Sequence, residues 1–525
     1  PVLVDVLQTC GAKDVLPVLL QHGNDLGCAE TYHHADLANR FPPELHTHDQ
    51  YGHRRDEVTF HPSYHHLMDL GVAAGQAAIA WEDAHKGYGH VAHAALEYLT
   101  HQVEAGVCCP LSMTYAAVPA LAHNHRLTED WTPRLLSRAY DARFRPVTEK
   151  TGATMGMAMT EKQGGSDVRA NTTRAEHVPG SPDQVRLWGH KWFCSAPMCD
   201  AFLTLAYEDA GLSCFFVPRW TDEGRVNDIR IQRLKSKLGN RANASSEIEY
   251  WGAEATRVGD PGAGVKTIIE MVHCTRLSCT MGAASLMRAA FAEATHHVSH
   301  RSAFQKRLID QPLMRNVIAD LALESIAATH LAFFIAHQFD LSEQDQGNRP
   351  LARLLVAMGK YWLNKRVSNF VYEALECHGG AGYVEEGRMP RLYREAPLNS
   401  IWEGSGNVIC LDIFRTIEKE PAALDALFSI LDRSAGTCDG YDRLCDRIRA
   451  RLLGRTLPIG EARRKVKSLA IALQTHLLAV HEGPEIAQLF VDARMGEGGT
   501  DVYGMLPETT PFEAIIARAY PAYSA

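Results

Sequence analysis

The spacing of the apolar residues changes twice along this chain, and that constrains its fold more than any other feature. Gly71 to Tyr98 is alanine-rich with few helix breakers, and Ala116-Ala117-Val118-Pro119-Ala120-Leu121-Ala122 continues in kind. From about residue 151 the apolar residues alternate with polar ones, as at Ile229 and Ile231 or Ile248 and Tyr250. Leu212-Ser213-Cys214-Phe215-Phe216-Val217 is a short apolar run closed by Pro218, and Pro179-Gly180-Ser181-Pro182 and Asp222-Glu223-Gly224 supply turns. Helical side chains recur every 3.6 residues and strand side chains every two, so the first pattern predicts helices and the second a compact antiparallel β domain. From Gly262 the helical spacing returns and predicts helices over 264–300, 312–340 and 350–378. Leu355, Met358 and Trp362 mark the apolar stripe of the last, which reads as core packing, and Gly379-Gly380 stop it.

The expected architecture is therefore α+β, mainly α. A helical domain covers 1–150, the antiparallel β domain 151–258, a helical bundle 259–420 and an additional helical domain 421–525. Within the first, the His- and Pro-rich stretch from Phe41 to Pro62 reads as a long irregular surface connection.

Composition narrows the class. A chain of 525 residues, 46% hydrophobic and 22% charged, matches a multidomain globular protein. Its net charge of −9 offers no general attraction to nucleic acid or anionic membranes, and no apolar run reaches the length of a membrane span. Pro1-Val2-Leu3-Val4-Asp5 lacks the basic flank and apolar core of a signal peptide, so a cytoplasmic location is expected. The 13 cysteines show no CxxC repeat and read as reduced, small apolar residues. The 26 histidines include adjacent pairs but no HExxH, so no metal site is read. One segment stands apart: between Arg443 and Lys467, nine cationic residues face only Asp446 and Glu461. A solvated helical face is one reading, and a patch for an acidic partner such as DNA is the other.

Three stretches carry groups suited to chemistry. Met157-Ala158-Met159-Thr160-Glu161-Lys162-Gln163-Gly164-Gly165-Ser166-Asp167 places glycines beside hydroxyls and carboxylates, as ordinary turns and phosphate-binding loops both do. Gly189-His190-Lys191-Trp192-Phe193-Cys194-Ser195 runs from a tight turn into an aromatic strand. Asn399-Ser400-Ile401-Trp402-Glu403-Gly404-Ser405-Gly406-Asn407 sets one carboxylate between an indole and a glycine-rich turn.

Together these stretches resemble the acyl-CoA dehydrogenase superfamily, in particular its AidB-type members. The resemblance runs from about Asn39–Pro62 to residue 415, through MTEKQGGSDV, NTTRAE, GHKWF, GLSCFFVPR, PRLYRE and NSIWEGSGN. It implies a bound FAD held by Met159, Thr160, Gly165, Ser166, Trp192 and Ser195. Arg301 and Phe304, with Gly379 and Gly380, would hold the adenine end of a flavin from a neighbouring subunit, and Ser405 and Asn407 would meet the pyrophosphate. That arrangement implies a homotetramer. Glu403 falls at the position of the catalytic base, with Arg276 orienting it or binding an anionic substrate group. Taken as residues alone, Trp192 and Phe304 also suit core packing, Arg301 a surface ion pair, Arg276 a structural role and Glu403 a turn cap.

Three departures bear on the ligands. Gln305 stands where the family's R-x-x-F-G has glycine, Glu376 where it has a glutamine before the double glycine, and His273 where thioester enzymes carry an aspartate three residues before the arginine. The implied activity is an FAD-dependent dehydrogenation of an acyl-CoA, or of a small non-thioester, for instance nitrogen-containing, substrate. A DNA-associated flavoprotein contacting DNA through Arg443–Lys467, and a flavin-free scaffold, are the alternatives.

Overall fold

The computed structural model describes residues 1–452, 458–496 and 502–521. The chain divides into two compact units, residues 17–278 and residues 1–16 with 279–525. In chain order the helices are α1 (Val2–Thr9), α2 (Leu16–Leu26), α3 (Ala29–Arg40), α4 (Pro62–Ala73), α5 (Gly89–Val103), α6 (Cys108–Leu121) and α7 (His125–Leu135). After the β domain follow α8 (Gly264–His300), α9 (Pro312–Gln344), α10 (Arg349–Glu376), α11 (Met389–Glu395) and α12 (Gly406–Lys419). Beyond them lie α13 (Pro421–Leu431), α14 (Asp439–Leu452), α15 (Ala462–His481), α16 (Pro484–Met495) and α17 (Phe512–Ala519).

In the first unit the alanine-rich stretch is not one helix. Gly75 and Gly87 adopt φ of +84° and +100°, which break it into α4, two short 3₁₀ turns and α5. α5 then carries an unexpected buried seam. Glu97, fully buried, lies 3.3 Å from His93 and 3.8 Å from His101, one turn to either side, and accepts from the Ser112 hydroxyl at 2.6 Å. Helical spacing puts all three on one face, so one carboxylate answers two imidazoles.

The Phe41–Pro62 stretch is not irregular either. It holds an antiparallel hairpin, β1 (Glu44–His48) with β2 (Arg54–Thr59). Asp49 closes its turn by accepting from the backbone N–H groups of Tyr51 and His53 at 2.8 and 2.9 Å. Asp56, buried beside Arg54, accepts from the Ile231 N–H at 2.9 Å and fastens the hairpin to the β domain.

That domain is a seven-stranded sheet of β3 (Met155–Ala158), β4 (Arg174–His177), β5 (Gln184–Ser195), β6 (Ala201–Glu208), β7 (Gly211–Pro218), β8 (Ile229–Leu234) and β9 (Ser245–Val258). The order is β3-β6-β4-β5-β9-β7, with β8 on β9 and a further β6–β7 pairing. It is not wholly antiparallel: β6 pairs in parallel with β3 and β4. The reason lies in the connections, since the loop that follows β3 is long enough to bring the chain back in the same direction.

In the second unit α9 is long and apolar enough to span a membrane, but 94% of its most apolar window is buried against its neighbours. Leu355, Met358 and Trp362 of α10 are buried as their spacing predicts. The C-terminal segment is clipped on by charge. Arg494 donates to Glu324 at 2.8 Å and Asp320 at 2.6 Å, and Arg366 meets the same Glu324 at 3.1 Å. Arg518 bridges Glu482 at 2.8 Å and Asp5 of α1 at 2.7 Å, joining the two ends of the chain.

Candidate functional site

In the β domain the first two motifs form one structure. The Trp192 N–H donates to the Thr160 carbonyl at 2.7 Å, and the Lys162 N–H to His190 Nε2 at 3.1 Å. The loop turns at Gly164, φ +110°, and a Cβ on Gly165 would stand 2.4 Å from the Thr160 hydroxyl, so Gly165 leaves that oxygen its room. Ser166 and Asp167 are exposed beyond it.

Glu161 anchors the loop. Fully buried, it accepts from Lys191 Nζ at 2.9 Å, from the Thr173 hydroxyl at 2.6 Å and from the Thr172 N–H at 2.6 Å. Burial works against its charge, but Lys191 and the Thr173 hydroxyl outweigh that and hold its carboxyl at about 2. Burial in turn draws the Lys191 ammonium down to about 8.

The aromatic residues are placed differently from expectation. Between Lys191 and Cys194 the β5–β9 register shifts by one residue. Such a bulge breaks alternation and re-aims a side chain. Trp192 is half-buried with Lys235 Nζ 3.5 Å from its ring centre, while Phe193 is 49% exposed with the same Nζ 4.6 Å from its own. Phe193 is thus the more exposed of the two rings, two residues before Ser195 on β5. Lys191-x-Phe193-x-Ser195 is the signal in the sequence that could have found it.

In the other unit the third and fourth motifs meet. The rings of His297, one turn before Arg301, and His378, next to Gly379, lie 4.6 Å apart. Ala303 pairs with Lys306 across a two-residue turn in which Phe304 and Gln305 have φ of +50° and +65°. Gln305 thus occupies a left-handed position that glycine would fill without penalty. Phe304 is 91% exposed. Gly379, φ +59°, and Gly380 have open space where a Cβ would go.

Glu403 is half-buried with φ +57°, followed by Gly404 at +104°. A non-glycine residue held there costs roughly 1–2 kcal/mol, and such strain gathers at functional sites. The Trp402 indole donates to Asn399 Oδ1 at 2.7 Å, and the buried Lys360 ammonium donates to the Gly404 carbonyl. α12 starts next, and its N-cap Ser405 makes no side-chain capping bond. Asn407 is exposed. A Cβ on Gly406 would lie 3.2 Å from Lys365 Nζ and 3.3 Å from Arg463 Nη2. Burial and the Arg463 guanidinium lower the Lys365 pKa. Two cations thus converge on a helix N-terminus, which is already positive. The sequence reading places neither cation at this turn, and takes Arg463 only as part of the basic run, because nothing local ties residue 463 to residue 406. Arg276 is buried on α8, with His273 half-buried one turn earlier.

Among the described residues the basic run is divided. Arg449 pairs with Asp432, and Arg463 turns to Gly406. Arg447, Arg451, Arg464 and the buried Lys465, which donates to the Arg451 carbonyl at 3.2 Å, line a cavity of about 100 Å³ together with Leu444, Ile448 and Met495. Arg455 lies outside the described residues.

Helical domain, β domain and helical bundle follow one another as in the acyl-CoA dehydrogenases. Residues 1–142 match the adaptive response protein AidB N-terminal domain, 156–252 the acyl-CoA dehydrogenase middle domain and 262–418 the acyl-CoA dehydrogenase C-terminal domain. AidB of Escherichia coli (strain K12) is 44% identical over 431 residues, 82% of this chain and 79% of that protein. Acyl-CoA dehydrogenase family member 11 of Caenorhabditis elegans is 28% identical over 494 residues, 90% and 78% of the two chains. The solved Caenorhabditis elegans ACDH-11 in complex with C11-CoA superposes with a TM-score of 0.85 at 26% identity, covering 93% of this chain and 89% of that one. Bd2924 in its apo-form gives 0.83 at 30% identity, covering 91% and 96%. The chain belongs to the acyl-CoA dehydrogenase family, on the branch that carries the AidB N-terminal domain.

Proposed function

We propose that this protein is an FAD-dependent oxidoreductase in which Glu403 takes a proton from the carbon α to a carbonyl. The observation that carries this is the left-handed Glu403, held half-buried in a turn whose following N-cap hydroxyl is uncommitted. FAD supplies the hydride acceptor. The chain offers residues that fit it: the Thr160 hydroxyl kept clear by Gly165, the more exposed Phe193 ring and Ser195 for the flavin ring, and Lys365, Arg463 and Ser405 at the start of α12 for phosphate charge. Met159, Ser166 and Asn407 take the roles the resemblance implies.

A base acts only within hydrogen-bond reach of its proton, so the turn at Glu403 must be rigid. Trp402, its indole tied to Asn399, is read as one wall of the site. The solved relative with C11-CoA supports an acyl-CoA as first substrate, while His273 leaves room for a ligand held without the usual aspartate. Exposed Phe304, Tyr383 and Leu313 suit burial by a second copy, as a homotetramer would provide.

The test is anaerobic bleaching of the purified protein's flavin by acyl-CoAs from C4 to C12. Glu403→Gln should keep its FAD and slow bleaching about 10²–10⁴-fold, the usual worth of a positioned base. Equal bleaching by both proteins would show that Glu403 is not the base.

A further inference from the structure

We propose that Lys360 is the positioning residue for Glu403: its ammonium holds the Gly404 carbonyl and thereby keeps the left-handed turn that presents the carboxylate. This rests on the reading of Glu403 as the base.

Lys360 is out of place by every local criterion. It sits in the run Leu354-Leu355-Val356-Ala357-Met358-Gly359-Lys360-Tyr361-Trp362-Leu363 and is 1% exposed. Removing an ammonium from water is costly, and a methionine would fill the same space without that cost. A lysine is required only if its charge and donors are used where it ends, and its Nζ ends on the carbonyl of the residue after Glu403.

The post that carries this ammonium is fixed. Gly359 brings α10 so close to α9 that a Cβ there would lie 2.3 Å from Ile335 Cδ1. One turn on, the Asn364 amide donates both to the Lys360 carbonyl at 2.8 Å and to the Cys279 carbonyl of α8 at 3.1 Å. Neither sliding nor rotation of α10 is open without breaking these contacts. Lys360 therefore reaches from a rigid helix to a turn with two successive positive φ values, at Glu403 and Gly404.

Such a turn persists only where its surroundings over-determine it. On one side the Trp402 indole is tied to Asn399; on the other the Gly404 carbonyl is tied to Lys360. Take away the ammonium and the Gly404–Ser405 peptide is free to rotate. The adjoining Glu403 can then relax to a right-handed conformation, and its carboxylate swings away from where the substrate carbon must lie.

Two readouts test this on the full-length, FAD-loaded protein. Crystal structures of the wild type and Lys360→Met should show Glu403 leaving the left-handed region in the variant, with its carboxylate displaced by at least about 1 Å, a misplacement worth ~10²-fold in rate. Anaerobic bleaching by undecanoyl-CoA should slow ~10²-fold at saturation, with half-saturation within about threefold of wild type and FAD content unchanged. Lys360→Arg, which keeps a cationic donor, should recover part of the rate. If Lys360→Met does not fold, Lys360→Gln, shorter and neutral, replaces it in both measurements. An unmoved Glu403 in the variant structure overturns the proposal, as does an unchanged bleaching rate where Glu403→Gln is slow. If instead Glu403→Gln bleaches like wild type while the turn moves in Lys360→Met, the base assignment fails and the positioning stands.

Discussion

Glu161 and Glu403 show how differently two carboxylates can be used in one protein. Glu161 is sealed away with Lys191, two threonine hydroxyls and two backbone donors, and its work is to hold the first loop in shape. Breaking that pair from one side leaves the ammonium of Lys191 buried without its partner. Glu161→Gln should therefore destabilise the protein by about 3–5 kcal/mol in urea unfolding at neutral pH. Its folded pKa of about 2 lies below the ordinary 4.5, so its contribution is complete above about pH 4.5 and is lost as the pH falls through 2. The stability gap between wild type and Glu161→Gln should narrow over that window. Glu403 is placed the opposite way, half-buried in a strained turn. Both residues were visible in the sequence inside their motifs, but only the partners that surround them separate the anchor from the proposed base.

Among the elements, the first loop depends on a single missing methyl. Gly165→Ala would put a Cβ 2.4 Å from the Thr160 hydroxyl and turn that oxygen aside. The expected outcome is FAD affinity weakened about tenfold, the worth of one lost hydrogen bond, with urea stability changed by less than about 0.5 kcal/mol. Fluorescence titration of the apoprotein with FAD measures the first and denaturation the second. The helices of the bundle were legible because their apolar spacing is long and regular, and α8, α9 and α10 begin and end within a few residues of expectation. The hairpin β1–β2 was not, because its strands are short and charged, with two histidines in β1, and long-range and turn contacts of Asp49 and Asp56 fix it in place. The bulge at Trp192–Phe193 was also invisible, since one extra residue shows only against the register of β9.

At the scale of the whole molecule, the C-terminal segment is held by a buried network of Asp320, Glu324, Arg366 and Arg494. Arg494→Met would leave buried Glu324 to Arg366 and buried Asp320 to the Gly504 N–H. It should cost about 3–5 kcal/mol in urea unfolding and open the chain near α16 to limited proteolysis. From the sequence alone came the alternation of helical and strand regions and the family, because periodicity and motifs are written in neighbouring residues. The tertiary structure decided which aromatic ring is the more exposed, which carboxylate is strained and which lysine stands behind it. Lys191 and Glu161 are 30 residues apart, and Lys360 and Gly404 are 44. Burial, left-handed turns and ion pairs are set by partners that distant, and no local pattern carries them.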